Sequence, residues 1–255
     1  MGLFSFCIKY LMSCCNLNKM TDALYMDDSY LKEFEATVKS VKDEKFVVLD
    51  KTAFYPNGGG QPFDTGKLIG PDREEYSVVF VGKFNGEISH EVDKPGLKEG
   101  DKVKGVLNWE RRYAHMRYHT TAHIVSAVLH KETGAKISGN QIYEYKLRID
   151  FNLDDFDKDA LQSYVDKANE EIGKNVDVEV SYLKREEAMK IPGIVKLAGA
   201  LPPSIDTLRI VKIGDIDMQA DGGTHVKNTS ELGKLTLIKA ENKGKNNRRI
   251  YVELS

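Results

Sequence analysis

Residues 103–131 read VKGVLNWERRYAHMRYHTTAHIVSAVLHK, and within them one kind of periodicity gives way to another. Val103 to Leu107 is a short β-rich run. From Arg112 to Lys131 no Gly or Pro intervenes, and Tyr118, Ala122, Val125 and Leu129 form an apolar stripe at helical steps, which predicts a helix. The change near Trp109 divides a strand-rich part from a mixed one. Upstream, Phe34 to Val41, Phe46 to Leu49, Tyr76 to Val81 and Ile88 to Val92 are further β-rich runs. Turn signals at Asn57-Gly58-Gly59-Gly60, Phe84-Asn85-Gly86 and Lys94-Pro95-Gly96 separate them, which predicts a small β-barrel over residues 21–108. Downstream come a strand at Lys146 to Phe151 and a helix at Lys158 to Ile172, capped by Asp157 and burying Leu161, Tyr164, Val165, Ala168 and Ile172. Further strands are expected at Val176 to Tyr182, Leu208 to Ile213, Lys234 to Lys239 and Arg248 to Leu254, giving an α+β unit over residues 109–255.

The predicted helix carries His119 and His123. Histidines four apart lie about 40° apart around a helix axis and one turn apart along it, so both imidazoles can face one ion. Asp221 and His225 repeat the spacing beyond the Leu208 to Ile213 run, with Gly222 and Gly223 between them to permit a tight turn. Three imidazoles and a carboxylate suit zinc, one ion per chain. His115 lies four residues before His119 and either competes as a ligand or has a structural role; His90 and His130 read as ordinary residues.

At 255 residues, 41% hydrophobic and 30% charged, the chain has the composition of a globular protein with material for one large domain or two ordinary ones. No run of 18 apolar residues is present, which argues against a membrane span. The net charge of −2 gives no global nucleic-acid signature, so a polyanion must be met by a local patch. The segment from Asp150 to Glu171 is acidic, whereas Lys239 to Arg249 is basic, and Arg111, Arg112 and Arg117 add positive charge beside the histidine helix. All three cysteines, Cys7, Cys14 and Cys15, fall near the N-terminus, so the rest of the chain holds no disulfide, as suits a reducing cytoplasm. Residues 1–20 make a poor signal peptide, because Lys9 breaks the apolar run and no basic segment precedes it. They are expected to be a disordered extension, with Met20 as the functional start; a membrane-surface or partner-binding tail is the alternative.

These motifs together resemble a known family. Ala53-Phe54-Tyr55-Pro56-Asn57-Gly58-Gly59-Gly60-Gln61-Pro62, Arg111-Arg112 followed by His119-Thr120-Thr121-Ala122-His123, Gly222-Gly223-Thr224-His225-Val226 with Thr229 and Glu231, and Asn247-Arg248-Arg249-Ile250 occur in the order found in the alanyl-tRNA editing proteins called AlaX. The resemblance covers Thr21 to Ser255 and fits the medium-length form. It implies an N-terminal barrel carrying the glycine-rich motif and a C-terminal zinc-binding editing domain. It also implies hydrolysis of mischarged tRNA(Ala), chiefly Ser-tRNA(Ala) and in some members Gly-tRNA(Ala), in the cytoplasm. One departure stands out: the family has cysteine where this chain has Asp221. The carboxylate either ligates the ion or leaves the fourth place to water.

An aminoacyl ester on a terminal ribose yields to an activated water, with charge stabilisation for the oxyanion and placement of the acyl group. Zinc would either lower the pKa of bound water or position the substrate amine. Selecting serine over alanine needs a buried partner for one hydroxyl, which can discriminate by roughly 10⁴. Thr120 and Thr121 are candidates, with helix packing as their alternative role. Gly58, Gly59 and Gly60 offer bare amides to substrate, Gln61 an amide to orient water, and Arg111, Arg112, Arg248 and Arg249 phosphate contacts. The alternative function is a non-catalytic, zinc-containing tRNA-binding protein; monomer and dimer both fit.

Overall fold

Alternation of inward apolar and outward polar residues builds the first unit. In β2 (Glu33–Lys42), Phe34, Ala36 and Val38 turn inward while Glu33 and Glu35 stay exposed. The computed structural model describes residues 20–153, 157–191, 193–194 and 206–255. The N-terminal extension and its three cysteines lie outside the described residues. A short strand β1 (Asp22–Ala23) pairs in parallel with β4 (Lys51–Thr52). Strands β2, β3 (Phe46–Leu49), β5 (Gly66–Ile69), β6 (Glu75–Phe84), β7 (Glu87–Val92) and β8 (Lys102–Leu107) close a six-stranded barrel in the order β2-β3-β7-β6-β5-β8. Closure leaves that sheet without an open edge. Val38, Val47, Leu49, Phe54, Leu68 and Val81 fill its interior. His90 is fully buried among them, its Nε2 2.8 Å from Thr52 Oγ1 and its Nδ1 3.0 Å from the Val47 carbonyl.

The second unit starts at α1 (Trp109–Thr133). The Asn108 side chain accepts from Arg111 N–H at 3.2 Å to cap its start, and Gly134, at φ 72°, ends it in the left-handed conformation. Its buried residues point in nearly every direction, because α2 and strands of both sheets, β9, β10 and β13, pack around it. The strands are β9 (Ile137–Ile142), β10 (Leu147–Phe151), β11 (Val178–Lys184), β12 (Thr207–Ile213), β13 (Asp217–Ala220), β14 (Leu235–Asn242) and β15 (Arg248–Leu254), and α2 (Lys158–Ile172) and the short α3 (Arg185–Ala188) complete the unit. One sheet has the order β14-β15-β10-β9 and the other β11-β12-β13. Ile149, Phe151, Ile250 and Val252 pack with Ile124 and Leu129 of α1 and with Leu161 and Val165 of α2 in one core. A barrel followed by an α+β unit is the predicted architecture.

Two strands of this unit are absent from the sequence reading. Gly139 and Asn140 disguise β9 as a turn, although backbone pairing to β10 holds it extended. The four-residue β13 is short, and only its pairing with β12 defines it.

A buried ion pair joins the units. The Arg112 guanidinium is fully buried and donates to Asp64 from Nε at 3.0 Å, to the Ser29 carbonyl from Nη1 at 2.9 Å, and to Asp64 and the Ala53 carbonyl from Nη2. Asp64 also accepts from the Tyr55 amide at 2.6 Å. A phosphate contact for Arg112 is therefore withdrawn, since its donors face protein acceptors.

Candidate metal centre

His119 and His123 leave α1 on adjacent turns, and the turn after β13 brings Asp221 and His225 against them. One ligand atom from each of the four residues can be chosen so that all lie within 4.8 Å of one another. The close approach requires Gly223, where a Cβ would sit 2.0 Å from His119 Cε1.

The outer hydrogen bonds fix what each ring presents to the centre. His123 Nδ1 lies 2.8 Å from Asp217 Oδ2, and because a carboxylate only accepts, this nitrogen carries the proton. His119 Nδ1 lies 2.8 Å from Gln61 Oε1. That amide cannot be flipped, since Oε1 also accepts from Thr224 N–H at 3.2 Å and Nε2 donates to Thr224 Oγ1 at 2.9 Å. His225 Nδ1 lies 3.1 Å from Thr120 Oγ1, which in turn accepts from Val226 N–H. Nε2 of His119 and of His123 is therefore an unprotonated lone pair facing inward. Asp221 Oδ1 lies 3.6 Å from His119 Nε2, and Oδ2 lies 3.0 Å from His225 Nε2. His225 Nε2 is within hydrogen-bond reach of Asp221 Oδ2, while the inward lone pairs of His119 Nε2, His123 Nε2 and Asp221 Oδ1 are donors that one cation would share. The donor set fits a divalent metal, and outer partners that orient each imidazole are the usual support of such a site.

Electrostatics favour the same state. Burial pushes the His119 imidazole well below its usual range, against the opposing pull of Asp221. It likewise pushes His225 down to about 4. Burial raises the Asp221 carboxyl, but attraction to His119 and the hydrogen bond from His225 outweigh it and hold the group ionised, well below the carboxylate range. Neutral imidazoles and an ionised carboxylate are the protonation states that bind metal. Asp221 is further anchored by Gly223 N–H at 2.6 Å, while Arg209 Nη1 donates to its main-chain carbonyl at 2.9 Å.

His115 stands outside this group. It is buried, burial pushes its imidazole down to about 3, and neither ring nitrogen meets a hydrogen-bond partner among the described residues.

A cavity of about 560 Å³ opens beside the cluster, with Tyr25, Tyr55, Asn57, Gly58, Gly59, His119, His123, Ser126, Asn140, Gln219 and Asp221 among its lining residues. The glycine-rich loop thus borders the metal centre. Gln61 and Thr120 are both buried behind the histidines, Gln61 Oε1 against His119 and Thr120 Oγ1 against His225, so each holds a candidate ligand in place. Thr121 donates to the Arg117 carbonyl within the helix. Arg111 donates to the Phe63 carbonyl and pairs with Glu144. Arg249 pairs with Asp150, Nε to Oδ1 at 2.6 Å, and Arg248 is buried against Asn242 and the Gly244 carbonyl. None of these three arginines lines the cavity.

Asp217 and Gln219 were not singled out from the sequence. They occupy alternate positions of β13, and alternate strand residues share a face, which here meets His123. A polar-apolar-polar triplet just before the glycine pair was the available signal.

Comparison with known proteins agrees with this arrangement. Residues 208–251 match the family described as the threonyl and alanyl tRNA synthetase second additional domain, and residues 15–111 match class II (A) tRNA synthetases. The chain is 50% identical over 241 residues to an alanyl-tRNA editing protein AlaX-M of Methanosarcina barkeri, covering 92% of this chain and 99% of that one. It is 49% identical over 234 residues to AlaX-M of Saccharolobus solfataricus, covering 91% and 98%. It is also 38% identical to an alanine--tRNA ligase of Thermococcus kodakarensis over 225 residues, 87% of this chain but 24% of the ligase.

Proposed function

The chain belongs to the AlaX-M family of alanyl-tRNA editing proteins, and from that membership we propose that it hydrolyses the aminoacyl ester of mischarged tRNA(Ala) in the cavity beside the His119, His123, Asp221 and His225 cluster. The observation that carries this reading is the outward hydrogen bonding of the histidines, which leaves lone pairs converging on one point at the floor of a cavity. The ion is zinc, matched to three nitrogens and one oxygen, and when bound it supplies a Lewis acid to polarise water or to hold the substrate's amine.

The chain's own residues prepare the site for it. Gln61 and Asp217 hold the rings of His119 and His123 in the ligating tautomer, and Thr120 orients the ring of His225. The buried walls exclude bulk water and strengthen every charge interaction inside. Serine is favoured over alanine because a polar group of the lining pairs with its hydroxyl. Ser126, Asn140 and Gln219 reach the cavity, whereas Thr120 and Thr121 do not. A site committed to such a hydrogen bond disfavours the analogue without the hydroxyl by roughly 10⁴. Acting on a free tRNA ester places the protein with translation in the cytoplasm.

Incubation of the zinc-loaded protein with Ser-, Gly- and Ala-tRNA(Ala) tests the reading. The seryl ester should disappear while the alanyl ester persists, and the His119→Ala, His123→Ala double variant should be inactive. Tight binding of tRNA without turnover of either ester would refute hydrolysis.

A further inference from the structure

The cavity's lining changes character from floor to rim. Its floor is the buried cluster, and its rim is the exposed Asn57, Gly58, Gly59 and Lys83 of the barrel. Gly58 and Gln61 exchange main-chain hydrogen bonds, Gly58 N–H to Gln61 at 3.1 Å and Gln61 N–H to Gly58 at 2.9 Å. Between them Gly59 and Gly60 have φ of 60° and 84°, so the loop tip is a type I′ turn. The Gly59 amide meets no acceptor among the described residues. Lys83, at the end of β6, meets no carboxylate or hydrogen-bond acceptor among them either. A bare amide and an unpaired ammonium on one rim make a site for an anion.

The size of the cavity says which anion. About 560 Å³ is far more than a seryl group fills, and it falls in the range of sites that enclose a whole small ligand. With the acyl group at the cluster, the remaining volume takes the nucleoside that bears the ester. The first charge met on leaving the cavity is then the phosphodiester on the 5′ side of that nucleoside. We propose that Lys83, together with the Gly59 amide, seats the phosphodiester preceding the 3′-terminal nucleoside of the tRNA. This inference rests on the editing function proposed above. It gives the barrel a direct part in substrate recognition, since the seat and the metal ligands come from different units of the fold.

The test crosses a protein change with a substrate change. Lys83→Met and Lys83→Arg are compared on Ser-tRNA(Ala) carrying either the natural last linkage or an uncharged methylphosphonate there. In the wild type the methylphosphonate should raise KM about tenfold with kcat little changed, as expected for one charge-assisted hydrogen bond. Lys83→Met should raise KM by a similar factor, show a clearly smaller methylphosphonate penalty than the wild type, and flatten the salt dependence of binding by about 0.7 in log–log slope. Lys83→Arg should restore most of the loss. Zinc content and thermal midpoint should be unchanged, because the side chain is exposed. A KM within twofold of wild type in Lys83→Met, or an undiminished methylphosphonate penalty in that variant, overturns the proposal. If the wild type leaves the seryl ester intact, the editing reading fails on its own, and the same cycle is read in the Kd of uncharged tRNA(Ala).

Discussion

Oε1 of Gln61 lies 2.8 Å from Nδ1 of His119, although the first residue belongs to the barrel's loop and the second to the long helix. The barrel therefore reaches into the candidate metal centre of the other unit and sets the tautomer of His119. Gln61→Ala removes that acceptor while leaving the four ligand atoms in place. Metal affinity should fall about 10- to 100-fold, the usual cost of losing an outer partner of a ligating histidine. Chelator competition measures it, and an unchanged affinity would mean that the ring is held by packing alone.

Asp217→Asn addresses the second histidine in the same way. The amide still accepts from His123 Nδ1–H through its oxygen, but it carries no charge to raise the basicity of the ring. The loss in metal affinity should be smaller than for Asp217→Ala, and both should exceed that of a change at exposed Asp43.

Arg112→Ala should lower stability by about 3–5 kcal/mol, because it strands the fully buried Asp64 carboxylate without its partner. Urea unfolding is the measurement. A loss below about 1 kcal/mol would show that water enters to solvate Asp64.

Gly60→Ala meets two obstacles. Its φ of 84° disfavours any Cβ, and that atom would fall 1.4 Å from the Asn140 side-chain oxygen. Stability should drop, and adding Asn140→Ala should recover the steric part while leaving a backbone cost of about 1–2 kcal/mol. Full recovery in the double variant would mean that the loop relaxes out of its turn.

Acid should weaken the metal-free protein in part through His90. Burial pushes this imidazole down to about 4, so the folded state refuses a proton that the unfolded chain accepts at its ordinary 6.5. Its contribution is complete above about pH 6.5 and is lost as pH falls toward 4, a change on the order of 3 kcal/mol. Comparing unfolding at pH 7 and 4.5 for wild type and His90→Gln isolates it. Identical pH dependence in the two proteins would exclude His90 as the source.

Much of this fold is legible wherever periodicity is strong. The barrel strands β7 and β8 and the first half of β2 alternate cleanly, and α1 has a continuous apolar stripe between a capping Asn108 and a terminating Gly134. The strands β5, β9 and β13 escape notice because β5 and β13 span only four residues and β9 contains a glycine; ladder partners, not local preference, extend them. The grouping of His119, His123, Asp221 and His225, which could hold a metal ion, is readable from spacing, since i, i+4 residues share a helix face or span a tight turn. The roles of their neighbours were not. A buried arginine and a surface arginine look alike in sequence, so the sequence groups Arg112 with phosphate contacts, whereas its position against Asp64 makes it a bolt between units. Gln61 was read as a water-orienting group because nothing local reveals that Thr224, distant in sequence, occupies both ends of its amide.

On the proposed function, a metal held by His119, His123, Asp221 and His225 enables this chain to deacylate mischarged tRNA(Ala). The most direct measurement strips the protein with a chelator, returns zinc in steps, and follows hydrolysis of Ser-tRNA(Ala) against bound zinc. The rate should rise in proportion to occupancy and level off at about one ion per chain, with Ala-tRNA(Ala) spared throughout. Full activity in the stripped protein, or none in the fully loaded one, would contradict the account.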